Sequence, residues 1–313
     1  MKKVVFMGTP QFSVPILTML VEEGYEVVAV VTQPDRPVGR KRVMTPPPVK
    51  VEADRLGLLT IQPEKITPEV ISEIQALQPD LLITAAFGQI LPEALLQLPT
   101  FGAINVHASL LPKYRGGAPI HQAIIDGQRE TGVTIMYMVK RLDAGNMIAQ
   151  RSIPITDADD TGILFEKLSL VGEELLKETL PSIFNRTNAS IPQNEEEVTF
   201  ASNISREQER IDWNRPGRAI FNQIRGLHPW PVAFTTFQGE TVKIWQAHLV
   251  SSPSEKSNPG EILVMEGNQL IVSSADQEAI AIQTIQPAGK KKMDVAQFIN
   301  GNGDKWKVGE SFE

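Results

Sequence analysis

Asn105 and His107 lie two residues apart, and on an extended strand such a pair faces one side. An amide donor beside a titratable imidazole suits chemistry at a carbonyl. The amide can stabilise a developing oxyanion, and the ring can move a proton near neutral pH. Asp143 is the third candidate, because a carboxylate near His107 would orient the ring and stabilise its charged form. Each residue also has a plainer reading. A lone histidine is often structural or exposed, Asn105 could cap a turn, and Asp143 before Ala144-Gly145 fits a turn.

These side chains need a rigid base. Phe101 to Ile104 reads as a buried strand leading into Asn105, and Ile120 to Ile125 reads as a helix start. Between them lie Ser109, Lys113, Arg115 and the paired glycines 116 and 117. Val4 to Met7, Phe12 to Leu20 and Val27 to Thr32 read as strand, helix and strand, which argues a parallel sheet with a right-handed crossover. Asp80 to Ala86 is a further buried strand. The turn after it, Phe87-Gly88-Gln89-Ile90-Leu91, is either a plain β–α turn or a place where a ligand meets backbone. Gly132 to Met138 and Met147 to Ile155 read as strands, with the turn that carries Asp143 between them. If the strands before Asn105 and Asp143 are parallel neighbours, their ends come within side-chain reach. The first turn, Gly8-Thr9-Pro10-Gln11-Phe12, lacks the G-x-G-x-x-G spacing a dinucleotide needs. No G-x-S-x-G elbow surrounds Ser109, and His121 and His228 stand apart from paired carboxylates, so neither a serine hydrolase nor a metal site is expected.

With 313 residues the chain can build two cores. It contains no cysteine, which excludes disulfides and thiolate chemistry and fits a reducing cytoplasm. Val4 to Met7 is too short for the apolar core of a signal peptide, and no apolar run approaches a membrane span. The net charge is −7, so a nucleic-acid partner would need local basic patches. Residues 33–50 form a long, proline-rich segment with Arg36, Arg40, Lys41 and Arg42. It is either a solvated loop or a basic arm that grips phosphate. After a polar, acidic stretch read as a linker over 189–205, a helix over Pro216 to Leu227 and several short alternating runs suggest a small β-barrel over 206–313. Lys290, Lys291 and Lys292 are its densest cations.

Asn105-Val106-His107, Ser109-Leu110-Leu111-Pro112, Arg115-Gly116-Gly117-Ala118-Pro119, Thr131-Gly132-Val133-Thr134 and Leu142-Asp143-Ala144-Gly145 together resemble the folate-dependent formyltransferases. Phe6-Met7-Gly8-Thr9-Pro10, the basic 33–50 segment, and Ile211-Asp212-Trp213 with Pro229-Trp230-Pro231 narrow the resemblance to the members that formylate methionine on initiator tRNA. The resemblance implies an α/β architecture: a doubly wound, mainly parallel catalytic domain over 1–188 and an OB-like barrel that binds tRNA. It implies 10-formyltetrahydrofolate as co-substrate, no metal, and Asn105, His107 and Asp143 as the catalytic group. Phe87, Gly88, Gln89, Ile90 and Leu91, with Ser109, Leu110, Leu111 and Pro112, are then the expected folate contacts. Arg36, Arg40, Lys41, Arg42 and Lys290 to Lys292 are the expected RNA contacts. A cytoplasmic monomer is expected. A formyltransferase for a small amine such as a nucleotide sugar, and a non-catalytic RNA-binding protein on the same fold, are the alternatives.

Overall fold

The computed structural model describes residues 2–39, 41–254, 256–302 and 306–313. The chain divides into two compact units. One holds residues 1–119, 130–154 and 165–202. The other holds 120–129, 155–164 and 203–313. The polar stretch read as a linker therefore belongs to the first unit as far as residue 202, and two short earlier segments belong to the second.

In the first unit β1 (Lys3–Gly8), β2 (Glu26–Val31), β3 (Arg36–Val38), β4 (Val43–Thr45), β5 (Thr60–Ile61), β6 (Leu81–Ala85), β7 (Ala103–His107), β8 (Glu130–Tyr137) and β9 (Met147–Pro154) follow in chain order. Seven of them form one sheet in the order β5-β2-β1-β6-β7-β8-β9. The strands from β5 to β7 pair in parallel, and β8 and β9 close that edge antiparallel. Central strands are apolar on both faces, as parallel strands covered on both sides must be: Val4 to Met7 and Leu81 to Ile83 have no exposure. The chain runs outward from β1 to β2 and β5, then returns to β6 on the other side. That reversal opens a crevice outside the carboxyl ends of β1 and β6.

Residues 33–50 are not an irregular loop. β3 and β4 pair antiparallel as a hairpin, Arg36 opposite Thr45 and Val38 opposite Val43, and a helix begins at Pro48. The hairpin is a separate two-stranded sheet with Val38, Val43 and Met44 exposed.

In the second unit β10 (Phe234–Phe237), β11 (Glu240–Ser251), β12 (Ile262–Glu266), β13 (Gln269–Ser273), β14 (Glu278–Pro287) and β15 (Met293–Asp294) form an antiparallel sheet, ordered β10-β11-β14-β13-β12 with β15 on β14. Its core gathers Ile220 and Ile224 of the helix Gly217–Gly226 with Phe237, Phe298, Trp306 and Phe312. Trp213 lies in that core, its indole N–H donating to Thr235 Oγ1 at 2.9 Å. Phe298 comes from a helix, Val295–Asn302, that no strong periodicity announces. Among the described residues no helix is long and apolar enough to cross a membrane.

Candidate active site

Asn105 and His107 stand at the carboxyl end of β7, on one side of the strand. Thr84, the last residue but one of β6, pairs in register with Asn105, and its hydroxyl lies 2.7 Å from Asn105 Oδ1. The hydroxyl donates to that oxygen, which leaves the two Nδ2 protons for another partner. No hydrogen bond engages Nδ2 among the described residues. Residue types and spacing in β7 did not single out Thr84. Its only signal was a polar residue inside an apolar strand.

His107 is buried, with Nε2 3.0 Å from the Tyr114 carbonyl. A carbonyl only accepts, so Nε2 carries a proton, and Nδ1 is the lone-pair position of the neutral ring. Nδ1 faces Asp143 Oδ2 across 3.8 Å, beyond direct hydrogen-bond length. The same Oδ2 accepts from the Gly116 amide at 2.9 Å. The three candidates are thus brought together, but not by parallel neighbours. β7 and β8 are antiparallel, and His107 pairs with Thr134 in mid-strand. Asp143 reaches His107 because the segment after β8 folds back, with Asp143 in a left-handed conformation (φ 46°).

That fold-back is held by residues the sequence left unassigned. Arg115 is 1% exposed, and its Nε and Nη2 donate to Gln193 Oε1 at 2.9 and 2.7 Å. Gln193 Nε2 donates in turn to the carbonyls of Asp143 (2.7 Å) and Gly145 (2.8 Å). Glu195 accepts from Arg115 at 3.0 Å and pairs with Arg141. Those two guanidinium groups, Arg141 foremost, hold its carboxyl below the usual range. The Thr199 carbonyl accepts from the Arg115 amide, and the Ala201 amide donates to the Arg115 carbonyl. The Arg115 loop passes so close that a Cβ on Gly116, whose φ is 126°, would lie 2.5 Å from the Ala201 oxygen. A polar, aperiodic segment gave no warning of this, because its order comes from tertiary hydrogen bonds.

The two segments expected to contact folate differ in what they offer. In the first, Ser109 is 1% exposed and its hydroxyl donates inward to the Lys113 carbonyl at 2.7 Å, while Leu111 is buried before a cis bond to Pro112. Thr134 and Gln150 fix this loop through the Ser109 and Leu111 backbone. Leu110 and Pro112 keep partial exposure. In the second, Phe87 is buried and its carbonyl accepts from Thr9 and Gln33, and Leu91 joins the core. Gln89 is tied to the Pro63 carbonyl, Gly88 has φ 86°, and Ile90 is 87% exposed. The backbones of Gly88, Gln89 and Ile90 enter no hydrogen bond among the described residues.

Of the basic candidates, Arg36 pairs with Glu64 at 2.6 Å, Lys41 and Arg42 are exposed at the hairpin tip, and Arg40 lies outside the described residues. Lys290 to Lys292 are exposed, with Lys292 Nζ 4.5 Å over the Trp245 ring. His228 is not isolated from carboxylates, since its Nδ1 lies 2.8 Å from Asp160 Oδ2. Among the described residues no group of three or more His, Asp or Glu side chains is placed to hold a metal ion.

The sequence profile described as "Formyl transferase" matches residues 1–180, and that described as "Formyl transferase, C-terminal domain" matches residues 203–303. The chain is 58% identical over 314 residues, all of both chains, to the methionyl-tRNA formyltransferase of Lysinibacillus sphaericus. It is 59% identical to that of Staphylococcus aureus, with 96% of each chain covered. Among solved structures it resembles the N-formyltransferase of Helicobacter canadensis in complex with folinic acid and dTDP-3-aminofucose. The TM-score is 0.68 and the identity 22%, over 90% of this chain and 99% of that one. HypX of Aquifex aeolicus with tetrahydrofolic acid gives a TM-score of 0.66 at 18% identity, covering 99% of this chain and 50% of that one. These matches span both units, and the chain belongs to the formyltransferase family.

Proposed function

We propose that this chain transfers the formyl group of 10-formyltetrahydrofolate to the α-amino group of methionine carried on initiator tRNA. The observation that carries the chemical part is the Asn105 amide. Thr84 holds its oxygen, so its two N–H donors stay open to a ligand, beside a histidine whose Nδ1 is its lone-pair site. The reaction forms a C–N bond to the amine, breaks the C–N bond to the donor, and passes one proton from the first nitrogen to the second. Negative charge develops on the formyl oxygen, and Asn105 Nδ2 donates to it. His107 Nδ1 receives the amine's proton and returns it to the leaving nitrogen, with Asp143 stabilising the ring while it is charged. Gln193 and Gly116 act one step back, by keeping Asp143 opposite Nδ1.

Bound 10-formyltetrahydrofolate would supply the activated formyl group. The residues fit such a molecule. The backbones of Gly88, Gln89 and Ile90 have unused donors and acceptors for a flat heterocycle with several amide-like edges. Ile90, Leu110 and Pro112 offer apolar surface for its ring system. The reading includes a monomer, since Asn105, His107 and Asp143 lie within one compact unit.

The tRNA part rests on the curated relatives, which carry that substrate in their name, and on the hairpin. A two-stranded hairpin in water is marginally stable at best. This one exposes Val38, Val43, Met44, Lys41 and Arg42, a surface suited to a polyanionic partner with stacked bases. Such a substrate implies a cytoplasmic site of action. The test is formyl transfer from 10-formyltetrahydrofolate to methionine-charged initiator tRNA, uncharged tRNA and a nucleotide-linked amino sugar. A formyl group on the methionine nitrogen alone supports the reading. Transfer to the amino sugar in preference, or to neither acceptor, overturns it.

A further inference from the structure

The second unit contains a cavity of about 700 Å³ whose wall is unusually rich in arginine: Arg129, Arg215, Arg218 and Arg225. Two carboxylates, Asp126 and Asp157, line it as well, so the wall keeps a net positive charge in a chain whose overall charge is −7. The four guanidinium groups are not equivalent. Arg225 is buried, and its hydrogen bonds go to neutral oxygens only: Thr156 O at 2.6 Å, Asp159 O at 2.9 Å and Asn222 Oδ1 at 3.0 and 2.9 Å. Burial pushes its pKa down, so its charge is held at a cost that no bonded carboxylate offsets. Arg218 pairs with Asp157 at 2.7 Å. Arg129 and Arg215 make no ion pair among the described residues, and both reach the cavity.

The end of the helix Gly217–Gly226 is not what attracts charge here. Its first amides are already occupied, Gly217 N by Asp276 and Arg218 N by Glu278. A ligand would meet guanidinium forks, which match phosphate oxygens in geometry and bind them through paired N–H bonds. The cavity is open and much larger than a single oxyanion, so it suits a strand of linked phosphates. We propose that this arginine cavity is a phosphodiester-binding site for the RNA substrate, with Arg129 and Arg215 as the residues that engage phosphate and Arg225 as the fixed charge behind them. The inference rests on the tRNA reading above.

The test uses the full chain with Arg129→Gln and Arg215→Gln combined, leaving the buried Arg225 in place. Two measurements are made against salt: equilibrium binding of uncharged initiator tRNA, and KM and kcat for its methionine-charged form. Each phosphate left without its arginine makes the log–log salt dependence shallower by roughly 0.7 to 0.9, so about 1.5 is expected for the pair. KM is expected to rise with kcat unchanged. The Arg129→Lys and Arg215→Lys pair is expected to restore most of the slope, since lysine keeps the charge, which a misfolded variant would not do. Parallel slopes for wild type and the glutamine pair overturn the site while the formyl-transfer reading stands. A wild-type protein that formylates an amine but binds no tRNA overturns both.

Discussion

The Gln193 side chain accepts two hydrogen bonds from the buried Arg115 guanidinium and donates two to the carbonyls of Asp143 and Gly145. One amide therefore satisfies a buried cation and positions the loop that carries the candidate carboxylate. Gln193→Ala leaves four polar groups short of a partner. A loss of roughly 2 to 4 kcal/mol is expected in urea unfolding. Gln193→Glu separates the two roles. It keeps an acceptor for Arg115 but sets oxygen against two carbonyls. We expect it to retain more stability than Gln193→Ala while losing as much turnover. Equal stability for the two variants, or full turnover in either, would contradict this division.

Glu195 gives the same cluster a dependence on pH. Arg141 and Arg115 hold its folded-state carboxyl below the ordinary value of 4.5. A carboxyl depressed on folding stabilises the protein above its unfolded pKa, and that contribution disappears as pH falls through the folded value. The urea midpoint is therefore expected to drop below about pH 4.5 more steeply in wild type than in Glu195→Gln. Identical profiles between pH 6 and pH 3 would show that the ion pairs carry no linkage.

Asp143→Asn keeps an oxygen for the Gly116 amide and removes the charge 3.8 Å from His107 Nδ1. Stability is expected to change little. Turnover is expected to fall, because the ring loses the negative charge that faces it when it takes up the proton in transfer. Unchanged turnover would mean that Asp143 acts only through the backbone.

The hairpin tip predicts an effect on tRNA without an effect on folding. Replacing Lys41 and Arg42 with alanine is expected to raise KM for charged tRNA and flatten its salt dependence by up to about 1.5. Exposed charges contribute roughly 0 to 1 kcal/mol each to stability, so the melting temperature stays near wild type. Arg36→Ala is expected to do less, since Arg36 is already engaged by Glu64. Parallel salt slopes would reduce the tip to a solvated turn.

Much of this was legible in the sequence, for identifiable reasons. β1, β2 and β6 are buried on both faces and read as unbroken apolar runs. Asn105 and His107 were visible because a two-residue spacing survives any packing of a strand. The contact with Asp143 was expected for another reason, parallel strand ends, and arises instead from a segment folding back over an antiparallel pair. The β3–β4 hairpin was hidden by Pro37, Gly39 and a run of cations that interrupt alternation. Gln193 and Thr84 were hidden more deeply. What makes each useful is the atom it meets across the fold, and no local pattern carries that.

On the proposed reading His107 moves the proton during formyl transfer. The deciding measurement is the single-turnover rate of transfer to methionine-charged initiator tRNA, with His107→Ala beside wild type at saturating tRNA and 10-formyltetrahydrofolate. A loss of roughly 10² to 10⁴ in rate, with tRNA binding unchanged, is the predicted result. A variant that transfers the formyl group within a few-fold of wild type would contradict it.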